Sequence, residues 1–188
     1  MKTRALFLAA TLAFVPVLGQ QSVPLAHAQK SAALSDEITW DDLWPPGEDE
    51  RLEEIYTTYM ATLESANPEG IVEGGALDQM MQFGTFTTVE ELDNTRVKIP
   101  GFVVPLDFNA QNEYTEFLIV PYFGACLHTP PPPPNQIIFA KSKKPTKVDD
   151  IYVAYWFEGV LKTQRNDTAL ADAAYELELA GMSDYSFR

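Results

Sequence analysis

The hydrophobic pattern of the chain changes its period once. From Glu48 to Ser65, Leu52, Ile55, Tyr56, Tyr59, Met60 and Leu63 recur at intervals of three and four, which predicts one amphipathic helix with a single apolar face. Pro45, Pro46 and Gly47 make a turn before it, and Glu48, Asp49 and Glu50 give it the acidic first turn that a helix N-terminus favours. Trp40, Leu43 and Trp44 are expected to dock on the core, as large apolar side chains usually do.

The stretch "NPEGIVEGG", residues 67–75, is a loop by its proline and glycine content, and 76–86 fits neither period. A short helical turn ending at Asp93-Asn94 leads into a strand from Arg96 to Leu106. "YTEFLIVPYF", "NQIIFAKS" and "DIYVAYWFEGVLKTQ" are further strands, rich in β-branched and aromatic residues. "AYELELAG" closes the series with Tyr175, Leu177 and Leu179 alternating against Glu176 and Glu178. Gly101 and Gly159 fall inside strands, where glycine marks a bulge or tight bend. "NDTALADA" reads as a short helical turn between the fourth and fifth strands. The pattern predicts a mainly β chain with a helical N-terminal arm, an α+β fold built as a five-stranded OB-like barrel over 82–188, with 29–81 as arm and linker. A small β sandwich is the alternative.

Residues 1–28 stand apart. Lys2 and Arg4, the apolar run Ala5 to Val15, and Ala26-His27-Ala28 make a secretory signal peptide cleaved near Ala28. Pro16, Gly19, Gln20 and Gln21 stop the run short of the roughly 18 apolar residues a membrane anchor needs. No membrane insertion of the mature form is expected. Export leaves 11 basic against 27 acidic residues, a net charge of −16 over 160 residues. Such a surface repels nucleic acid and anionic lipid. With 46% hydrophobic and 12% aromatic residues the chain can bury one proper core.

Candidate chemistry concentrates in "GACLHTPPPPPNQ", residues 124–136. Cys126 is the single cysteine, so it has no intrachain disulfide partner, and His128 is the single histidine once His27 is removed. In an extended segment residues two apart project to one side, and thiolate with neutral imidazole suits zinc. Two ligands do not complete a site, so Asp107, Glu158 or Asp149, water or a partner's side chain would have to join Cys126 and His128. An imidazolium beside a thiol also lowers its pKa, which opens thiol-dependent catalysis at Cys126. The third reading makes Cys126 a small buried hydrophobe and His128 a loop pin. Pro130, Pro131, Pro132, Pro133 and Pro134 lack backbone donors and read as a stiff extended run of some 15 Å. With Asn135 and Gln136 they form a rigid strap between two strands, against which Tyr122 and Phe123 are placed to pack.

The segments "ITWDDLWPP", "IPGFVVPLDF", "FLIVPYFGACLHTPPPPPNQIIF" and "YWFEGVL", in this order between Thr39 and Leu179, resemble an exported bacterial family known as domain of unknown function 3299. The "CLHTPPPPPNQ" block is its most specific part. The resemblance implies a periplasmic protein of Gram-negative bacteria with no established enzyme activity. Family members are encoded beside transporter components linked to metal uptake. The resemblance therefore implies an accessory protein that handles a transition metal, zinc first, through Cys126 and His128. A thiol-dependent enzyme and a structural module docking an envelope or transporter partner are the alternatives.

Overall fold

The protein is described here by a computed structural model covering residues 35–66, 81–107, 110–126 and 131–186. Residues 1–28, expected to be a signal peptide, lie outside the described residues. One long strand organises the fold. It follows a two-residue strand, β1 (Asp36–Glu37): β2 runs over Thr95–Pro105 and pairs on two sides. From Thr95 to Gly101 it is antiparallel to β5, Tyr155–Lys162, and from Phe102 to Pro105 it is antiparallel to β3, Glu113–Val120. The hand-over falls at Gly101, where a Cβ would lie 2.6 Å from Ile119 Cγ2 and 3.2 Å from Trp40 Cζ2. Only a residue without a side chain lets the strand bend this closely over its neighbours.

β3 pairs antiparallel with β4, Ile138–Lys147, and β4 pairs parallel with β6, Tyr175–Asp184. β6 is antiparallel to β5, which returns to β2 and closes the order β2-β3-β4-β6-β5-β2. Parallel strands need a crossover rather than a hairpin, and β5 with its flanking loops supplies it between β4 and β6. This is the five-stranded OB-like barrel that the strand pattern predicts, and the β2–β5 pairing rules out an open-edged sandwich. Gly159 marks a shift in register between β5 and β6, and a Cβ there would sit 2.4 Å from Glu178 O.

Two expectations change. The lead before the helix contains a sixth strand, β1 (Asp36–Glu37), parallel to β2 at Val97 and Lys98. That edge of β2 is open there because β3 pairs only from Phe102 onward. "NDTALADA" forms no helical turn: Asn166 and Ala173 exchange backbone hydrogen bonds of 2.9 and 2.8 Å. Thr168 Oγ1 accepts from the N–H groups of Leu170 and Ala171 and donates to Ala171 O, the local side-chain bonding that competes with helix.

The alternation of each strand separates two apolar layers. Val97, Ile99 and Val103 of β2, Phe117 and Ile119 of β3, Phe157 of β5 and Tyr175 and Leu177 of β6 fill the barrel. Trp40 packs on this cluster and its Nε1 donates to Pro100 O at 2.7 Å. The alternate residues Val104, Leu118, Val120 and Phe139 are also buried, on the outside of the barrel. Ala125, Cys126, Ala171 and Ala173 cover them. Burial on both faces here follows from a chain segment laid across the strands, where a solvated antiparallel sheet would alternate with polar residues.

The helix predicted from Glu48 to Ser65 is α1, Glu48–Ala66. Leu52, Ile55, Tyr59 and Leu63 are half-buried, whereas Tyr56 and Met60 of the same apolar face are exposed. Glu48 is 1% exposed at the helix start, accepting from Thr85 Oγ1 at 2.5 Å and pairing with Arg51 at 2.8 Å. Among the described residues no helix is long and apolar enough to cross a membrane.

Candidate functional site

β3 ends at Val120, and the chain turns through Pro121 to Gly124 into the segment that lies over the outer layer. Gly124 has φ 85° and Cys126 φ 65°. For a side chain with a Cβ, that left-handed conformation costs about 1–2 kcal/mol. Cys126 is 8% exposed and packs with Val104, Val120, Ala125, Ile137 and Phe139. Burial pushes its thiol up to about 11, because an apolar surround disfavours the thiolate.

His128 lies outside the described residues, as do Thr129 and Pro130. Of the remaining residues singled out for a metal, Asp107 and Asp149 line one cavity, whereas Glu158 is not part of its lining. Asp107 is exposed where β2 runs into the β3 loop. Glu158 is on β5, where Ser35 Oγ donates to it at 2.5 Å and Arg96 pairs with it at 3.2 Å. The hydrogen bond from Ser35, then that from Arg96, holds its carboxyl below the usual glutamate range. Asp149 pairs with Lys147 at 2.6 Å. Among the described residues no three His, Cys, Asp or Glu side chains converge as a metal site. The described residues therefore supply no zinc ligand set.

The strap is built differently from a uniformly extended run. Pro134, Asn135 and Gln136 form a 3-10 turn, with Pro134 at its first position, where a missing N–H is harmless. Pro132 and Pro134 are buried, while Pro131 and Pro133 are half-buried. Pro134 O accepts from Ala174 N at 2.8 Å, Asn135 Nδ2 donates to Thr87 O at 3.3 Å, and Gln136 Nε2 donates to Trp40 O at 3.1 Å. The strap thus ties together the N-terminal arm, the segment before β2 and the start of β6. Phe123 is placed elsewhere than expected: its ring packs against Phe102 and Tyr152, at 6.3 and 5.2 Å between centroids.

A groove of about 410 Å³ opens between the strap and α1, floored by Leu52, Tyr56, Phe83, Pro131 and Pro133 and rimmed by Asp49 and Glu53. Phe83 meets Tyr59 edge-on at 4.8 Å and Tyr56 at 6.0 Å. Its neighbours hold it in place. Gln82 Nε2 donates to Pro132 O at 2.9 Å and to Asp172 O at 2.8 Å. Gly84 has φ 135°, and a Cβ on it would lie 2.6 Å from Pro133 Cβ. Phe83 falls in the stretch whose period is ambiguous, so periodicity does not find it. The signal that does is an aromatic flanked by a capable hydrogen-bonding side chain, Gln82, and a glycine, Gly84, free to approach another backbone.

No curated protein matches the chain. The crystal structure, at 2.45 Å resolution, of a DUF3299 family protein from Pseudomonas aeruginosa PAO1 is 29% identical to it. That likeness covers 82% of this chain and 99% of that one, with a TM-score of 0.59. With the match of residues 40–184 to the family described as "Protein of unknown function (DUF3299)", these findings establish that the chain belongs to that family.

Proposed function

We propose that the protein is a periplasmic accessory module that works by docking a partner of the cell envelope or of a transporter, with the groove between α1 and the strap as its binding face. The observation that carries this reading is the unfilled apolar face of α1: Tyr56 is 53% exposed and lines the groove with Phe83, Pro131 and Pro133. An amphipathic helix normally turns such a face to a core, and exposed apolar surface with a polar rim marks an interaction site. The acidic rim, Asp49 and Glu53, selects a partner segment that combines apolar anchors with lysine or arginine.

Packing of Cys126 in the outer apolar layer supports a structural role for this residue. Thiol catalysis needs an accessible thiolate, and zinc held by Cys126 and His128 requires the same thiol to leave its apolar surround. A photo-crosslinking side chain at position 56, expressed in the exporting bacterium, tests the docking reading. The expected result is one discrete protein adduct that disappears when Leu52→Glu is added. No adduct, or adducts indifferent to Leu52→Glu, overturns it.

A further inference from the structure

β4 and β6 part company partway along the barrel. They run parallel and stay paired from Ile138 and Tyr175 to Ser142 and Leu179. Beyond that point β4 bulges over Ser142 to Pro145 before Thr146 rejoins β3 opposite Tyr114, and β6 continues opposite β5 alone to Asp184. The notch between them holds a cavity of about 570 Å³, whose lining includes Lys143, Lys144, Leu179 and Ala180.

The edge of β6 along this notch is open. Tyr185 N donates to Ala154 O at 3.3 Å, in register with Asp184 opposite Tyr155. Backbone groups of alternate residues in a strand point to the same side. Ser183 therefore shares the β5 side with Tyr185, and the N–H and C=O of Met182 and Asp184 point the other way, where no strand lies among the described residues. Such an edge is a template for another strand.

The charges beside it select that strand. Among the described residues every lysine and arginine lies within ion-pair distance of a carboxylate except Lys143 and Lys144. In a chain with so large an acidic excess, two neighbouring lysines left without a carboxylate are the exception. The bulge that carries them is fixed: Ser142 Oγ donates to Lys144 O at 2.6 Å, and Thr146 Oγ1 donates to Ser142 Oγ at 3.2 Å. Asp184, at the far end of the same edge, forms no ion pair among the described residues either. Lysines beside an open edge repel most incoming strands, but they attract one that brings a carboxylate to them.

A second copy of β6 does this. Antiparallel pairing about Met182 sets Gly181 opposite Ser183 and Ala180 opposite Asp184, which brings each copy's Asp184 to the cavity that Ala180 shares with Lys143 and Lys144 of the other. One edge supplies both halves of the match, as an isologous contact requires. Met182 exchanges its outward N–H and C=O with its counterpart, and Gly181 leaves room beside it, with nothing within 4 Å of an added Cβ. We infer that the chain forms a homodimer by pairing the open edges of β6 around a twofold axis at Met182, with Asp184 of each copy on Lys143 and Lys144 of the other. This inference is independent of the docking groove.

Sedimentation equilibrium of the protein purified after export, across the micromolar range, tests it. Wild type should sediment as a monomer–dimer equilibrium. Met182→Pro removes an outward N–H and none that β5 uses, so it should leave a monomer. Lys143→Glu with Lys144→Glu should weaken association by about tenfold or more, and adding Asp184→Lys should restore it. Lys143, Lys144 and Asp184 are exposed, so the charge variants fold, which the melting curve checks. A monomeric wild type, a dimer indifferent to the proline and to the charge reversal, or failure of Asp184→Lys to restore association each overturns the assignment. So does tighter association of the Lys143→Glu, Lys144→Glu variant, which would make the lysines guards of the edge instead.

Discussion

Gln82 and Asp172, 90 residues apart, are joined like two residues of a β-ladder: Gln82 Nε2 donates to Asp172 O and Gln82 Oε1 accepts from Asp172 N, both at 2.8 Å. The side-chain amide stands in for a peptide group and satisfies a loop backbone that no strand reaches. The same Nε2 also holds Pro132 O. One side chain therefore fastens the strap, the β5–β6 loop and the base of the groove.

Gln82→Leu removes all three bonds and leaves half-buried backbone groups without partners. The expected cost is about 1–3 kcal/mol. Urea unfolding should report it as a lower midpoint, and the adduct at position 56 should weaken in parallel because Phe83 loses its neighbour's anchorage. An unchanged midpoint shows that water replaces the amide fully.

Gly159→Ala places a Cβ 2.4 Å from Glu178 O, a backbone atom that cannot step aside. The expected destabilisation is about 1–3 kcal/mol, the range for overpacking. Gly181→Ala in the neighbouring strand is the control: nothing lies within 4 Å of its added Cβ. That variant should leave the urea midpoint unchanged or slightly raised, by reducing the freedom of the unfolded chain.

Cys126 gives a pH signature. Its thiol titrates near 9.0 when unperturbed and about 11 in the fold, so the native state holds the proton more tightly. The associated stability is complete below about pH 9 and is lost as pH rises through the folded value near 11. Comparison of wild type with Cys126→Ala across this range should show the wild type losing stability more steeply. Alkylation of the native thiol near neutral pH should be slow and should accelerate on unfolding.

Zinc affinity provides a separate check on the strap. With Cys126 committed to the outer apolar layer, the double variant Cys126→Ser, His128→Ala should bind zinc as wild type does in a titration. A loss of about tenfold or more would instead assign a ligand role to this pair.

Several features were legible in the sequence because their cause is local. The period of α1 follows from Leu52, Ile55, Tyr59 and Leu63, and the bends at Gly101 and Gly159 follow from the one residue type that admits them. The groove was not legible, since Phe83 meets Tyr56 and Tyr59 across more than twenty residues of intervening sequence. The Phe123–Tyr152 contact was hidden for the same reason: the two residues belong to different loops, which meet because β2 pairs Phe102 with Val120 of β3 and Gly101 with Tyr155 of β5.

By itself the sequence determined which segments form the five barrel strands, where they bend, and that Cys126 and His128 stand beside a proline run. Alternation and conformational limits act over a few residues, so they are written in the order of the chain. Only the tertiary structure decided that β2 closes onto β5, that Val104, Leu118 and Val120 are buried on a second face, and that Cys126 lies among them while Tyr56 and Tyr152 remain outside. Closure and covering depend on pairings between residues distant in sequence, and a residue's own neighbours carry no record of what is later laid across it.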